Sequence, residues 1–195
     1  MLDKQIREQI IALINREVVP AVGCTEPMCV SLCVARATET LGFRPEKITV
    51  LLSSNILKNA MGVGIPGTGM IGLPIAVALG ALVGKSEYQL EVLKDLTPEA
   101  LEKGKQYIEG NHIDIRLKTG ITEKLYVEVR CEAEGHVATA VITHSHTNFV
   151  FVERDGETVL DNRQPAGKEA ENNDILLDMR MVYDFSMTTP VDDIS

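Results

Sequence analysis

The sequence predicts a single α+β domain over residues 1–195, with helices first and strands afterwards. Before about residue 110, apolar side chains recur mainly at helical spacing, whereas later they alternate with polar ones. Runs of helix followed by runs of strand are typical of α+β folds. We therefore predict amino-terminal helices, one of them buried and apolar, packed with an antiparallel sheet of about four to six strands.

Local signals justify the predicted helices. Pro27 suits the first turn of a helix and Gly42 suits its end, while Thr97 is a good amino-terminal cap. The run from 70 to 83 is almost wholly apolar and is expected to be buried. Helices are predicted over 3–16, 28–41, 55–61, 70–83 and 98–109.

The strands are predicted from alternating apolar and polar residues, mostly in the second half of the chain. One strand, at 47–52, is predicted within the helical part. Asp155-Gly156 is a hairpin turn signal. Residues 161–173 are polar and predicted to form a loop, followed by a helical segment at about 174–186. The helical part thus covers about 1–110 and the β-meander about 111–160. Later strands are predicted over 112–117, 125–131, 137–143 and 148–153.

Composition excludes several classes of function. The net charge is −9, which argues against binding to nucleic acid and anionic membrane surfaces. The first turn is charged and so is no export signal, and the longest apolar run is too short and broken to span a bilayer. We therefore expect a cytoplasmic protein, in which the four cysteines do not form structural disulfides.

The loop from Pro20 to Pro27 places Cys24 just before a predicted helix. A thiol there can face backbone amides and the positive end of the helix, and Glu26 can accept a proton or hold a substrate ammonium. The alternative is a helix-entry loop, capped by Thr25, with a half-buried cysteine. Cys29 and Cys33 share a helical face, and their spacing with Cys24 does not match the usual ferredoxin spacings, so they are interpreted as core residues. Cys131, on the apolar face of a strand, is also interpreted as core.

A glycine-rich run follows at 62–69. It contains G-x-G-x-x-G, but a helical segment and Pro66 interrupt the strand–turn–helix context that dinucleotide binding requires. The turn Gly67-Thr68-Gly69 precedes a helix predicted from near Met70, an arrangement suited to holding a carboxylate. Thr68 is expected to be a surface hydroxyl there. The alternative is a solvated turn and connector. The substrate-binding candidates are Asn55, Asn59, Gly67, Thr68 and Gly69, with Lys58 beside them.

The motif Gly23-Cys24-Thr25-Glu26 and the run from Ser53 to Gly69 together resemble the amino-terminal part of the L-cysteine desulfidase family. That family is related to the alpha part of iron–sulfur serine dehydratases. The resemblance implies that Cys24 binds a [4Fe-4S] cluster, which is completed by cysteines outside this chain. It also implies breakdown of L-cysteine to pyruvate, ammonia and sulfide.

The resemblance also suggests roles for other residues. The run from His144 to Asn148 resembles one in the family, so His146 is a catalytic candidate and Asn148 a substrate-binding one. Glu26 and Lys58 are the other catalytic candidates, and Thr25 is a further substrate-binding one. A metal site formed by the His-x-His pair alone, or a plain strand-edge loop, stays an alternative.

The family's members are about twice this length, so the expected partners are a small amino-acid substrate and a missing carboxy-terminal half. A homodimer is also possible on this reading, and the 195-residue chain alone is expected to be inactive. L-Serine dehydration is an alternative reaction. Two alternatives belong to other classes of function: a non-catalytic domain that binds a small carboxylate, and a purely structural half of a longer protein.

Overall fold

The computed structural model describes residues 2–18, 20–163 and 175–194. Within these residues, the chain forms two compact units. One comprises residues 21–163, and the other comprises the described residues before and after that span. Most of the predicted loop at 161–173 and the first residue of the predicted helical segment at 174–186 lie outside the described residues.

The larger unit contains four helices and the strands. A 3₁₀ helix at Ser86–Glu91 lies between the third and fourth of these helices. The helices are α2 (Thr25–Leu41), α3 (Ser54–Ala60), α4 (Leu73–Leu82) and α5 (Pro98–Glu109), whereas α1 (Lys4–Glu17) and α6 (Met179–Thr188) belong to the other unit. The strands are β1 (Lys47–Leu52), β2 (Gly64–Ile65), β3 (Met70–Ile71), β4 (Ile113–Leu117), β5 (Tyr126–Ala133), β6 (His136–Thr143), β7 (Phe149–Arg154) and β8 (Glu157–Asp161).

Six strands form one sheet in the order β4-β1-β5-β6-β7-β8, and β2 pairs with β3 as a separate hairpin. The α+β prediction is confirmed. The sheet differs from the predicted meander in being mixed, because β1 pairs with β4 in parallel. The chain between these two strands contains α3, α4 and α5, and a parallel pair requires a long crossover of this kind.

Helix α2 packs on the sheet and carries much of the core. Its residues from Pro27 to Ala35 are all buried. The Cys33 thiol donates to the carbonyl oxygen of Ala140 at 3.3 Å, and the Thr38 hydroxyl lies 3.8 Å from the Cys131 sulfur. These contacts fix the direction of α2, whose amino-terminal end points towards the connection between β6 and β7.

Helix α4 is the predicted buried apolar helix, and eight of its ten residues are buried. It begins at Leu73 and not near Met70, because residues 70–71 pair with 64–65 and Gly72 then caps the helix with φ 90°. It contacts α2 closely at Gly80, where an added Cβ would lie 2.6 Å from the backbone oxygen of Ser31.

The smaller unit contains α1 and α6. Each is capped by an aspartate: the Asp3 side chain accepts from the Gln5 amide, and the Asp178 side chain accepts from the Met181 amide. The Arg7 guanidinium donates to the backbone oxygen of Thr188 at 3.4 Å, which links the two helices. In the part of the chain that the structure describes, no helix combines the length and apolar character needed to cross a bilayer.

Candidate functional site

The candidate site is centred on Cys24, the residue that caps the amino terminus of α2. Of the four cysteines, Cys24 is half-buried and the other three are buried. Its thiol donates a hydrogen bond to Oε2 of Glu26 at 2.9 Å. Burial, and then this hydrogen bond to a carboxylate, raise the pKa of the Cys24 thiol above its ordinary value. Cys24 is therefore a protonated thiol at neutral pH, although the positive end of a helix by itself favours the thiolate.

Glu26 is the centre of the hydrogen bonds at this site. Its Oε1 accepts from the Asn59 side-chain amide at 3.2 Å, and its Oε2 accepts from the Thr25 hydroxyl at 3.3 Å. The hydrogen bond from the Cys24 thiol is the largest of the causes that lower the pKa of Glu26. The resting pair is thus a neutral thiol that donates a hydrogen bond to an ionised carboxylate.

The Cys24 loop and the glycine-rich run lie side by side. Gly23 has φ 85°, and a Cβ on it would lie 2.5 Å from Cγ of Pro66, in the turn between β2 and β3. Only glycine combines this positive φ with so close an approach. The loop is also fixed by Val22, whose amide donates to the carbonyl oxygen of Leu90 at 3.3 Å.

Thr68 has a structural role in the turn at Gly67–Gly69. It is buried, and its hydroxyl donates to the carbonyl oxygen of Ile65 at 2.6 Å and accepts from the Met70 amide at 2.9 Å. The expectation of a surface hydroxyl was therefore wrong: a short hairpin closes here and uses the hydroxyl to satisfy its backbone. Helix α4 begins at Leu73 and not near Met70, so the positive end of its dipole does not lie at Gly69.

Helix α3 divides its polar residues between two places. Asn59 joins the Cys24 site through Glu26. Asn55 instead lines a cavity of about 360 Å³ at the carboxyl ends of β1 and β4, together with Ser54, Lys118 and Lys124. Lys58 is exposed between these two positions.

His146 and Asn148 lie in the turn between β6 and β7. The Asn148 side-chain amide donates to the carbonyl oxygen of Thr143 at 3.1 Å, so it stabilises the turn. Because α2 runs with its amino terminus towards this turn, the turn and Cys24 lie at the same end of the sheet. No contact with Cys24 is seen for either side chain among the described residues.

The other cysteines are core residues, as predicted. Burial raises the pKa of Cys29 and Cys33, and it raises that of Cys131 to about 12. Among residues 2–18, 20–163 and 175–194, no group of three or more His, Cys, Asp or Glu side chains could hold a metal ion. Within the described residues, Cys24 is therefore the one thiol that is not buried, and Glu26 lies beside it.

The sequence did not predict three features: the contact of Asn59 with Glu26, the contact of Gly23 with Pro66, and the cavity that Asn55 lines with the loop after β4. The residues of each pair are far apart in the chain. A weak signal existed for one of them, because a proline inside a glycine-rich run indicates a rigid turn that another backbone can approach.

The chain is similar to bacterial proteins named UPF0597 protein. It is 65% identical over 188 residues to one from Bacteroides fragilis, covering 96% of this chain and 44% of the relative. It is 62% identical over 194 residues to one from Phocaeicola vulgatus, covering 100% of this chain and 45% of the relative. With one from Parabacteroides distasonis, the identity is 53% over 196 residues, 99% of this chain and 45% of the relative. No family model and no solved structure matches the chain.

These relatives correct the identification made from motifs. The chain was identified as the amino-terminal half of an L-cysteine desulfidase, but its relatives at 53–65% identity are named UPF0597 proteins, a name that states no activity. That identification was wrong, because two short motifs are weaker evidence than similarity along the whole chain. The chain spans less than half the length of these relatives.

Proposed function

We propose that Cys24 is a metal-ligating thiol of an iron–sulfur-dependent lyase that breaks down L-cysteine to pyruvate, ammonia and sulfide. The observation that supports this proposal is the pair formed by Cys24 and Glu26, 2.9 Å apart at a helix amino terminus. A half-exposed thiol beside an ionised carboxylate differs from the three buried cysteines, which have no carboxylate hydrogen-bonded to the sulfur among the described residues.

The donor set fits one ligand of a [4Fe-4S] cluster, and such clusters are normally held by four cysteine thiolates. Since the described residues provide Cys24 alone, the remaining ligands have to come from polypeptide outside this chain. The proposed activity therefore belongs to a longer protein, of the length seen in the relatives.

The residues of this chain have definite roles in the proposal. A cysteine binds metal as the thiolate, so the Cys24 proton must leave when metal binds. Oε2 of Glu26 already accepts that hydrogen bond and can take the proton, while Asn59 holds Oε1. Because Glu26 carries a lowered pKa, it passes the proton on to solvent at neutral pH.

The overall reaction breaks the substrate's carbon–sulfur bond and removes its α-proton, and the resulting enamine hydrolyses to pyruvate and ammonia. A bound cluster with an open iron supplies Lewis acidity at the leaving sulfur. Lys58 and His146 stay candidates for the base, and L-serine, with hydroxide as leaving group, stays the alternative substrate.

The experiment is iron and sulfide analysis of the full-length gene product, prepared and reconstituted without oxygen, with assays of pyruvate from L-cysteine and from L-serine. We expect iron in the parent protein and its loss, with the activity, in Cys24→Ser. The matched control is Cys29→Ser, in which a buried core thiol changes and the iron content should be kept.

Two results would contradict the proposal. Unchanged iron and turnover in Cys24→Ser would remove Cys24 from the metal site. A reconstituted parent protein without iron or activity would favour the alternative of a non-catalytic domain that binds a small carboxylate.

A further inference from the structure

Helix α6 has an unusually apolar exposed side. Four of its large apolar side chains are exposed by 46–83%, at spacings of three and four residues: Met179, Val182, Tyr183 and Met187. Residues at these spacings lie on one face of a helix. We call these four residues the α6 apolar stripe.

Exposed apolar side chains also flank both ends of the helix. Leu176 is 92% exposed and Leu177 45% exposed just before it, and Val191 is 79% exposed just after it. Phe185, on another side of α6, is buried. The helix is therefore apolar on two sides, only one of which is covered.

The exposed apolar side chains on and beside α6 are concentrated in one short segment. Contiguous apolar patches of more than a few hundred Å² mark interaction sites. Seven large apolar side chains exposed by 45–92% lie on α6 or within three residues of its ends. Interfaces between domains of one chain bury about 600–1,500 Å², a size that requires a group of apolar side chains of this kind.

The lengths of the relatives indicate what covers this face. The match to the Phocaeicola vulgatus protein includes 100% of this chain but only 45% of that relative. The segment equivalent to α6 therefore belongs, in that protein, to a polypeptide more than twice as long. An apolar face that is uncovered in the shorter chain then has an intramolecular partner available.

We propose that the α6 apolar stripe packs against an apolar face of the additional polypeptide that the longer proteins contain. The partner surface is aliphatic or aromatic and belongs to the same molecule. This proposal concerns how the two parts of the longer protein associate, and it is independent of the chemistry at Cys24.

Hydrogen–deuterium exchange tests the proposal on two existing proteins: the 195-residue chain and the complete Phocaeicola vulgatus relative. We expect the amides of α6 to exchange at least about tenfold more slowly in the complete relative, because a docked helix opens less often. Helix α5, within the larger compact unit, is the internal control and should exchange similarly in both proteins. Equal exchange of α6 in the two proteins would overturn the proposal.

A second measurement tests whether a second copy of the chain covers the α6 apolar stripe in place of the proposed intramolecular partner. Sedimentation of the 195-residue chain should show a monomer, and the variant carrying Tyr183→Glu and Met187→Glu should be a monomer of higher solubility. The control is Thr122→Glu, which adds one negative charge, against two in the double variant, at an exposed position in the larger unit. A dimer that dissociates in the double variant but not in Thr122→Glu would assign the stripe to self-association and overturn the proposal.

Discussion

At the scale of single residues, the chemistry depends on the balance of effects at Cys24. The amino terminus of a helix lowers the pKa of a thiol, whereas burial and a neighbouring carboxylate raise it. In this protein burial and Glu26 outweigh the helix, and the pKa of Cys24 is raised. A thiol in this state is protected from adventitious reaction and loses its proton when a ligand with a strong preference for thiolate arrives.

Glu26→Gln should make Cys24 more reactive. Removing the carboxylate charge lowers the pKa of the thiol, so alkylation at neutral pH should accelerate by about two- to tenfold, one pKa unit being tenfold. The increase in the alkylation rate should be limited, because burial of Cys24, the larger cause of its raised pKa, is unchanged in the variant. In the parent protein the rate should still be rising with pH above the ordinary thiol pKa. The measurement is iodoacetamide labelling followed by mass spectrometry.

Glu46→Gln is the control for this labelling experiment, since Glu46 is exposed and its amide contacts Glu132 at the opposite end of the sheet. Its labelling rate should equal that of the parent. An unchanged or slower rate in Glu26→Gln would contradict the role given to the carboxylate. Faster labelling of Cys29 than of Cys24 would contradict the assignment of the exposed thiol.

At the scale of elements, the site depends on how α2 is held. Its sheet-facing side is fixed by contacts such as that of Cys33 with Ala140, and its other side packs on α4 at Ser31 and Gly80. The Cys24 loop then extends from the end of α2 to the β2–β3 hairpin, where Gly23 contacts Pro66. A displacement of α2 would therefore move the thiol relative to Asn59 and the hairpin.

Gly80→Ala should destabilise the protein by about 1–2 kcal/mol net, because overpacking a core at so short a distance costs about 2–3 kcal/mol. The new Cβ would lie 2.6 Å from the Ser31 backbone oxygen, so two helices must separate. The gain of about 1 kcal/mol from replacing glycine inside a helix offsets only part of this. Urea unfolding measures the difference in free energy of unfolding. Gly62→Ala is the matched control, since nothing lies within 4 Å of its added Cβ, and equal stabilities of the two variants would contradict the close packing.

At the scale of the whole molecule, the described residues divide into a unit with the sheet and a unit with the two terminal helices, α1 and α6. The larger unit contains the Cys24 loop, Glu26, Asn59 and the β2–β3 hairpin. The candidate site is thus built within residues 21–163. Helix α6, with its apolar stripe, belongs to the other unit and is assigned to association with further polypeptide.

Residues 21–163 alone should fold cooperatively. The helices α2, α4 and α5 and the six-stranded sheet are all in this span, so its core does not depend on the remaining residues. A single urea transition, coincident by circular dichroism and tyrosine fluorescence, is the expected result. The 195-residue chain measured under the same conditions is the control. A broad transition, or two probes that disagree, would show that the larger unit needs the terminal helices in order to fold.

Local patterns in the sequence were sufficient for most elements. β1 was predicted at its observed bounds, and α5 was predicted from its Thr97 cap and Pro98. The buried character of α4 followed from its apolar run, but its start was misplaced. The reason is that Met70 and Ile71 are apolar whether they begin a helix or pair in a hairpin, so periodicity could not separate the two.

The sequence by itself determined the α+β class and the loop position of Cys24, because alternation, helical spacing and caps are encoded within a few neighbouring residues. Only the tertiary structure decided that β1 pairs in parallel with β4, that Thr68 is buried, and that Asn59 reaches Glu26. These features join residues distant in the chain or depend on what covers them. They form when the faces of helices and of the sheet are buried against one another, and no pattern of neighbouring residues states which faces meet. Asn55 is a further example: it shares a helical face with Asn59, but the tertiary structure places Asn55 at the cavity beside β4 and not at the Cys24 site.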